Sequence, residues 1–259
     1  MVQSWATKTG IGWVALVFWA GLAALPLVGS IWESPSFDYY MFMGQSMLIY
    51  AIAVLGLNLL IGFNGQISLG HSAFFAVGAY TAAILMNFGG VPYWLTLPFA
   101  AAICFGAGFL FGFPALKLEG HYLSVATFTL AIAVPQLLKH KSIAGWTGGV
   151  GGLLLDKPDP PFGIPLSPDQ WLYYLCLAVA MVLFWSVFNL LRGRSGRAMM
   201  AIRDHAMAAG TMGIDTCLYK TLTFGSSAGI TGLAGAPSGR TTPPPTPPRV
   251  PRAPSTHPL

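Results

Sequence analysis

The chain of 259 residues is dominated by apolar side chains and carries very few charges. Apolar and aromatic residues make up 54% of it and charged residues 8%, whereas soluble domains carry about 25% charged residues. Because such a small number of polar groups could not cover the surface of a water-soluble protein, the composition predicts an integral membrane protein. The net charge of +5 is too small and too scattered for a nucleic-acid-binding surface.

Seven apolar segments are candidates for membrane-spanning helices. A helix that crosses about 30 Å of hydrocarbon needs roughly 20 apolar residues. In chain order the candidates are residues 11–29, 39–63, 67–88, 91–113, 122–138, 170–191 and a weaker segment at 222–236. Because proline, glycine and charged residues separate them and lipid favours helices as spans, we predict an all-α, polytopic transmembrane helical bundle with six or seven spans.

The basic residues predict the orientation of these spans. A cytoplasmic N-terminus places seven basic residues inside and three outside, which is the bias that the positive-inside rule requires. The inside set is Lys8, Lys117, Arg192, Arg194, Arg197, Arg203 and Lys220, and the outside set is Lys139, Lys141 and Lys157. We interpret the first span as retained, with a cleaved signal peptide as the alternative.

No arrangement of residues typical of catalysis or metal binding is present. The chain lacks an HExxH motif, and its five histidines are dispersed. No lysine follows a glycine, so the chain has no Walker A phosphate loop. We predict a protein that is not an enzyme and has no catalytic residues, metal or cofactor. Any ATP-driven transport would need an ATPase in another chain.

A polar cluster lies where the second and third spans meet. Its members are Asn58, Asn64, Gln66, Ser68, His71 and Ser72. Polar side chains at membrane depth are costly unless they face protein or a water-filled cavity, so the cluster is a candidate substrate path. The alternative, that these residues only join neighbouring helices by hydrogen bonds, stays open. No Asp or Glu lies within the seven spans, which argues against a proton-coupled carrier.

The basic segment 192–220 is predicted to lie in the cytoplasm and to contain a short helix at 194–213, capped by Ser195. Spacings of three and four residues place one small apolar stripe on this helix, formed by Met199, Ile202, Ala206, Ala209 and Gly213. We expect the stripe to enter a groove on a partner protein. A helix lying on lipid is the alternative.

Four blocks of the sequence resemble a known family. Residues 56–80, with the sequence GLNLLIGFNGQISLGHSAFFAVGAY, are similar to the signature of LivM-type permeases of branched-chain amino-acid ABC importers. Three further blocks, at 116–123, 147–149 and 196–214, are similar to the inner turn, the outer-loop Thr-Gly-Gly and the coupling segment of that family. The resemblance covers residues 13–236.

The resemblance implies a permease subunit of the bacterial inner membrane. Its implied partners are ABC ATPase subunits, a second homologous permease subunit, a periplasmic substrate-binding protein and membrane lipid, but no nucleic acid. The residues assigned to ATPase coupling are Arg197, Met199, Ile202, Arg203, Asp204, Ala206, Ala209 and Gly213. Permeases for urea or short amides share the signature and are one alternative, and a secondary carrier or channel is another.

The end of the sequence departs from that family. We predict a transmembrane permease domain at 1–236 and a Pro-rich tail at 237–259, where nine of the last 23 residues are proline. LivM-type permeases continue here with further apolar spans. The abrupt change predicts either a disordered tail or a frameshifted reading frame. Apolar spans in another frame beyond codon 236 would support the frameshift, and their absence would support a genuine tail.

Overall fold

The computed structural model describes residues 17–26, 37–115, 121–149 and 167–238. Helices occupy nearly all of this part of the chain, and no strand occurs in it. They are α1 (Val17–Pro26), α2 (Phe37–Asn58), α3 (His71–Gly89), α4 (Tyr93–Ala115), α5 (His121–Leu138), α6 (Ala144–Thr147), α7 (Pro168–Arg192), α8 (Arg194–Thr211) and α9 (Thr216–Ser238). A π-helical turn, Leu59–Phe63, extends α2. The predicted all-α bundle is confirmed.

Within the described ranges, four helices are long and apolar enough to cross a membrane, which makes the protein a multi-pass membrane protein. They are Tyr39–Phe63, His71–Gly89, Tyr93–Phe113 and Pro168–Arg192. Two further predicted spans appear as the shorter apolar helices Val17–Pro26 and Tyr122–Leu138. The weak seventh span lies in α9, which has 23 residues but carries many glycine, serine and threonine residues that lower its hydropathy.

Helix α9 lies at the centre of the bundle and packs on α2, α3 and α4. Its small residues let neighbouring backbones approach closely, which is how helices associate in lipid. Gly225 and Gly229 face Phe105 and Phe109 of α4, and Gly78 of α3 faces the backbone of Gly232. The glycines of α9 are therefore used for packing, and its low hydropathy reflects burial in protein rather than exposure to water.

Helices α1, α2 and α7 form a second layer beside α9. Met41, Leu48 and Ile52 of α2 pack with Tyr173 and Leu177 of α7 in one buried cluster. Helix α7 begins with a capping box. The hydroxyl oxygen of Ser167 accepts from the backbone N–H of Gln170, and the side-chain oxygen of Gln170 accepts from the backbone N–H of Ser167. Gly193 alone separates α7 from α8, so α8 is held close to the end of α7.

The third predicted span begins later than expected. Residues 65–70 are not helical, and α3 starts at His71 rather than at Ile67. Gly65 adopts φ +72°, in the left-handed region that favours glycine, and this ends the helical path of α2. The prediction was wrong by four residues because apolar side chains occur on both sides of this break.

Two smaller expectations have different outcomes. The segment 237–259 lies outside the described residues except for Pro237 and Ser238, which end α9. In the outer-loop Thr-Gly-Gly block, Thr147 is fully buried and its hydroxyl lies 2.8 Å from the carbonyl oxygen of Leu138. This hydrogen bond ties α6 to the end of α5.

Candidate functional site

A chain of hydrogen bonds runs through the middle of the bundle and centres on His71. Its Nδ1 lies 3.1 Å from the hydroxyl of Ser68, and its Nε2 lies 2.6 Å from the hydroxyl of Ser227 on α9. The hydroxyl of Ser227 also contacts the carbonyl oxygen of Gly56 on α2. We call Ser68, His71, Ser227 and the Gly56 carbonyl the His71 network. It joins α2, α3 and α9 by polar contacts that are almost completely buried.

The donors and acceptors of the His71 network can be assigned from its ends. The Gly56 carbonyl only accepts, so the hydroxyl of Ser227 donates to it and accepts from Nε2–H of His71. The N–H of Gly70 donates to the oxygen of Ser68, which leaves the Ser68 hydroxyl to donate to Nδ1. Every group is satisfied when the imidazole is neutral, so the network needs no charge at this depth.

The loop that carries Ser68 is fastened to α5. The backbone N–H of Leu69 donates to the hydroxyl of Thr127 at 3.0 Å, and the hydroxyl of Ser124 donates to the carbonyl oxygen of Ile67 at 3.4 Å. A side chain at position 70 would collide with the carbonyl oxygen of Thr127, 2.7 Å from its Cβ. Helix α5 therefore fixes the approach of the loop to His71.

Only two of the six predicted path residues lie in the His71 network. Ser68 and His71 come together in the network, whereas Asn58 and Ser72 are exposed and Gln66 is half-buried. Asn64 is 2% exposed, and neither atom of its carboxamide finds a partner in the described part of the chain. Ser227 and Thr127 were not among the site residues predicted from the sequence. The available signals were the hydroxyl-rich composition of the last span and the need of His71 for a partner.

An apolar cleft of about 420 Å³ lies between α4, α7 and α9. Its lining includes Leu59, Phe105 and Leu183. None of the six predicted path residues lines it. The polar path and this cleft are therefore separate features.

Helix α8 lies across the end of the bundle where α2 finishes. Met199 packs with Leu59 of the π-helical turn and Val187 of α7 in one buried cluster. Nη1 of Arg203 lies 2.8 Å from the carbonyl oxygen of Gly62, the fourth residue of that turn. The predicted coupling segment thus contacts the turn that lies between two of the predicted path residues, Asn58 and Asn64.

The predicted stripe on α8 faces its own bundle. Met199, Ile202 and Ala209 are 3%, 3% and 4% exposed, so they cannot enter a groove on a partner without leaving this core. In the described residues α7, α9 and the π-helical turn pack against α8, and a partner groove for this stripe stays a prediction. Ala206 is half-buried, while Arg197, Arg203, Asp204 and Gly213 are exposed. The helix also begins one residue before Ser195, with Gly193 at the N-cap position.

Two methionines are the most exposed large apolar residues of the segment 192–220. Helix α8 is broken at His205, whose φ of −154° and ψ of 92° are not helical. Beyond the break, Met207 and Met212 are 88% and 85% exposed. The part of α8 before the break thus packs on the bundle, while Met207 after the break and Met212 at the C-cap present flexible apolar side chains outward.

Removing the hydroxyl of Ser227 should destabilise the bundle more than removing that of its neighbour. Ser227→Ala leaves Nε2–H of His71 buried without a partner and removes the side-chain donor to the Gly56 carbonyl, and an unsatisfied buried group costs about 1–3 kcal/mol. Ser226→Ala is the matched control, because the Ser226 hydroxyl bonds only within its own helix, to Thr223. We expect thermal unfolding in detergent to show a clear loss for Ser227→Ala alone. Equal losses would contradict the network.

The fold and the network define the class of the protein. It is a polytopic α-helical membrane protein with a buried network of neutral polar groups and a basic helix at one end of the bundle. The model of the family described as the permease component of branched-chain amino acid transport systems matches residues 40–242. The chain belongs to this family.

Two relatives give the same result. The high-affinity branched-chain amino acid transport system permease proteins LivM of Salmonella typhimurium and Escherichia coli are each 33% identical to the chain over 209 residues, which cover 73% of this chain and 49% of the relative. The chain therefore spans about half the length of these relatives. No solved structure matches it significantly.

Proposed function

We propose that the chain is a permease subunit of an ATP-driven ABC importer of branched-chain amino acids. The family match carries this proposal, because it spans both the His71 network and the whole of α8. The chain lacks a Walker A loop, so the energy would come from ABC ATPase subunits. A second homologous permease subunit would complete the path, and a periplasmic binding protein would deliver the substrate.

The His71 network suits a path that changes shape without changing charge. Its members form one hydrogen-bonded series across three helices, from the loop before α3 to the backbone of α2. A relative movement of α2, α3 or α9 breaks a bond in the series and exposes polar groups to a substrate or water. In this proposal Asn64, Gln66, Asn58 and Ser72 contribute the remaining polar groups of the path as it opens toward the end of the bundle.

The distribution of basic residues supports a cytoplasmic position for α8 and an inner-membrane location with a cytoplasmic N-terminus. The two ends of α3 mark the two sides of the bundle. The helix begins near Ser68, and close to its other end the ring of Phe88 lies 5.5 Å from that of Trp146 in α6. Arg192, Arg194, Arg197, Arg203 and Lys220 lie at the first end of α3, and Lys139 and Lys141 lie at the other. This bias agrees with the positive-inside rule. Lys8, Lys117 and Lys157 lie outside the described residues.

Uptake measured in cells tests the proposal directly. A strain without its own branched-chain importers would produce the chain with an ABC ATPase, a second permease and a binding protein encoded beside it. We expect uptake of labelled leucine, isoleucine or valine that stops when the ATPase carries an inactive Walker A lysine. Uptake of urea or short amides instead would replace the substrate assignment. Uptake that survives the inactive ATPase would favour a secondary carrier and overturn the proposal.

The ATPase should bind the outer half of α8 through Met207 and Met212. Burial of a methionine side chain contributes about 1.5–3 kcal/mol, so Met207→Ser with Met212→Ser should weaken ATPase binding about 100-fold or more. Leu218→Ser is the control, since Leu218 is 50% exposed at the start of α9 but does not lie on α8. Binding is measured by co-purification and by titration in nanodiscs. Undiminished binding of the double variant would remove this face from the interface.

A further inference from the structure

We propose that Arg203 is a positioning residue that transmits movement of α8 to the His71 network by capping the end of α2. The inference rests on the proposed function, in which an ATPase moves α8. It assigns Arg203 a contact inside its own chain rather than a contact with the ATPase alone. Three features of the described residues support it: a free carbonyl at the end of α2, an oriented guanidinium, and a short connection to His71.

The first feature is the carbonyl group of Gly62. Helix α2 ends in a π-helical turn, and the next backbone N–H that returns to it, that of Gln66, bonds to the carbonyl oxygen of Leu60 at 3.2 Å. The carbonyl of Gly62 is one of the terminal groups that a helix leaves without an internal partner. Nη1 of Arg203 donates to it at 2.8 Å. A guanidinium at a helix C-terminus is also favoured by the helix dipole.

The second feature is the orientation of the guanidinium. Nε and Nη2 of Arg203 both lie 3.1 Å from Oδ1 of Asp204. This pairing fixes the plane of the group and leaves Nη1 for the Gly62 carbonyl. The stem of Arg203 rests on Gly65, where a Cβ atom would lie 2.8 Å from Cγ of Arg203. A left-handed glycine at position 65 therefore provides both the turn and the space for the arginine.

The third feature is the short path from this cap to the network. Ser68 follows Gly65 by three residues, and His71 follows Ser68 by three more. The loop between them is fixed to α5 at Ile67 and Leu69, while Gly65 and Gln66 before it are held by the π-helical turn and Arg203. A π-helical turn contains one residue more than an α-helical path and is common at functional sites. It can change register when α8 moves.

Asn64 lies at the point where such a change would occur. Its carboxamide is buried without a partner in the part of the chain that the structure describes, and an unsatisfied polar group is costly. A shift of the turn would carry Asn64 toward polar partners or water while it pulls Ser68 away from His71. The present conformation is thus favoured by the Arg203 cap and opposed by Asn64, as expected for one state of a two-state element.

Hydrogen exchange of the chain in nanodiscs tests the cap without any transport. Arg203→Gln should speed exchange of the backbone amides of Gln66, Leu69 and Gly70 by tenfold or more, because the start of their loop loses its anchor. Arg203→Lys keeps one donor for the Gly62 carbonyl and should restore part of the protection. Arg194→Gln is the matched control on the same helix. Equal exchange in the Arg203→Gln and Arg194→Gln variants would overturn the proposal.

A transport measurement then separates this inference from the proposed function. In the assembled importer, Arg203→Gln should lower about tenfold the number of substrate molecules taken up per ATP hydrolysed, which is uncoupling. An unchanged ratio of uptake to hydrolysis would overturn the transmission role. If no ATPase binds the unchanged chain, the proposed function fails, while the exchange result still decides whether Arg203 caps α2.

Discussion

A valine in place of Gly78 is expected to prevent α3 and α9 from packing. A Cβ atom at position 78 would overlap the carbonyl group and Cα of Gly232. These are backbone atoms in the central helix, so no side-chain rotation can relieve the overlap. Overpacking of a core costs about 1–3 kcal/mol when side chains can adjust, and we expect a larger loss here. Thermal unfolding in detergent and size-exclusion chromatography should show a strongly destabilised or aggregated protein.

Gly106→Val provides the matched control for this prediction. Gly106 also lies within a transmembrane helix, but no atom of the described residues lies within 4 Å of the Cβ that a larger residue would add. The intrinsic effect of replacing glycine by valine in a helix is shared by both variants, so the difference between them isolates the contact with Gly232. Equal unfolding temperatures for the two variants would contradict the close approach of α3 and α9.

The importance of α9 was only partly predictable from the sequence. Length and hydropathy identified the outer helices because lipid-facing surfaces need apolar side chains. The same criterion ranked 222–236 as the weakest span, although it forms the centre of the bundle. A helix surrounded by other helices needs small residues for close contact more than it needs hydropathy, so composition alone undervalues it. The spacing of Gly225 and Gly229 was the better signal.

Only the Ser68 and His71 part of the His71 network could be predicted from the sequence. The spacing of Ser68 and His71 placed both at one junction, but Ser227 follows His71 by 156 residues, and nothing local connects them. The same limit explains the stripe of Met199 and Ile202 on α8. Helical periodicity identified an apolar face correctly, but it could not distinguish a partner protein from the chain's own π-helical turn as the surface that covers the face.

Replacing the three side chains of the His71 network by apolar residues should recover stability that His71→Leu alone loses, but it should not recover uptake. A single change such as His71→Leu leaves the buried Ser68 hydroxyl without an acceptor and removes the donor to the Ser227 hydroxyl, so it lowers stability whether or not the network serves transport. The combination His71→Leu, Ser68→Ala and Ser227→Ala removes most of these groups together, and such replacement can be nearly neutral for stability. The N–H of Gly70 loses its Ser68 acceptor, and the Gly56 carbonyl loses its side-chain donor.

The triple variant therefore separates the two interpretations that the sequence left open. If the network only joins helices, the triple variant should unfold later than His71→Leu alone and should take up leucine at a rate close to that of the unchanged importer. If the network lines the path, stability recovers but uptake stays at least about tenfold lower, because an apolar path no longer offers hydrogen bonds to the polar groups of the substrate. We expect the second result. Recovery of uptake together with stability would exclude His71 from the path and leave it as a helix-packing residue.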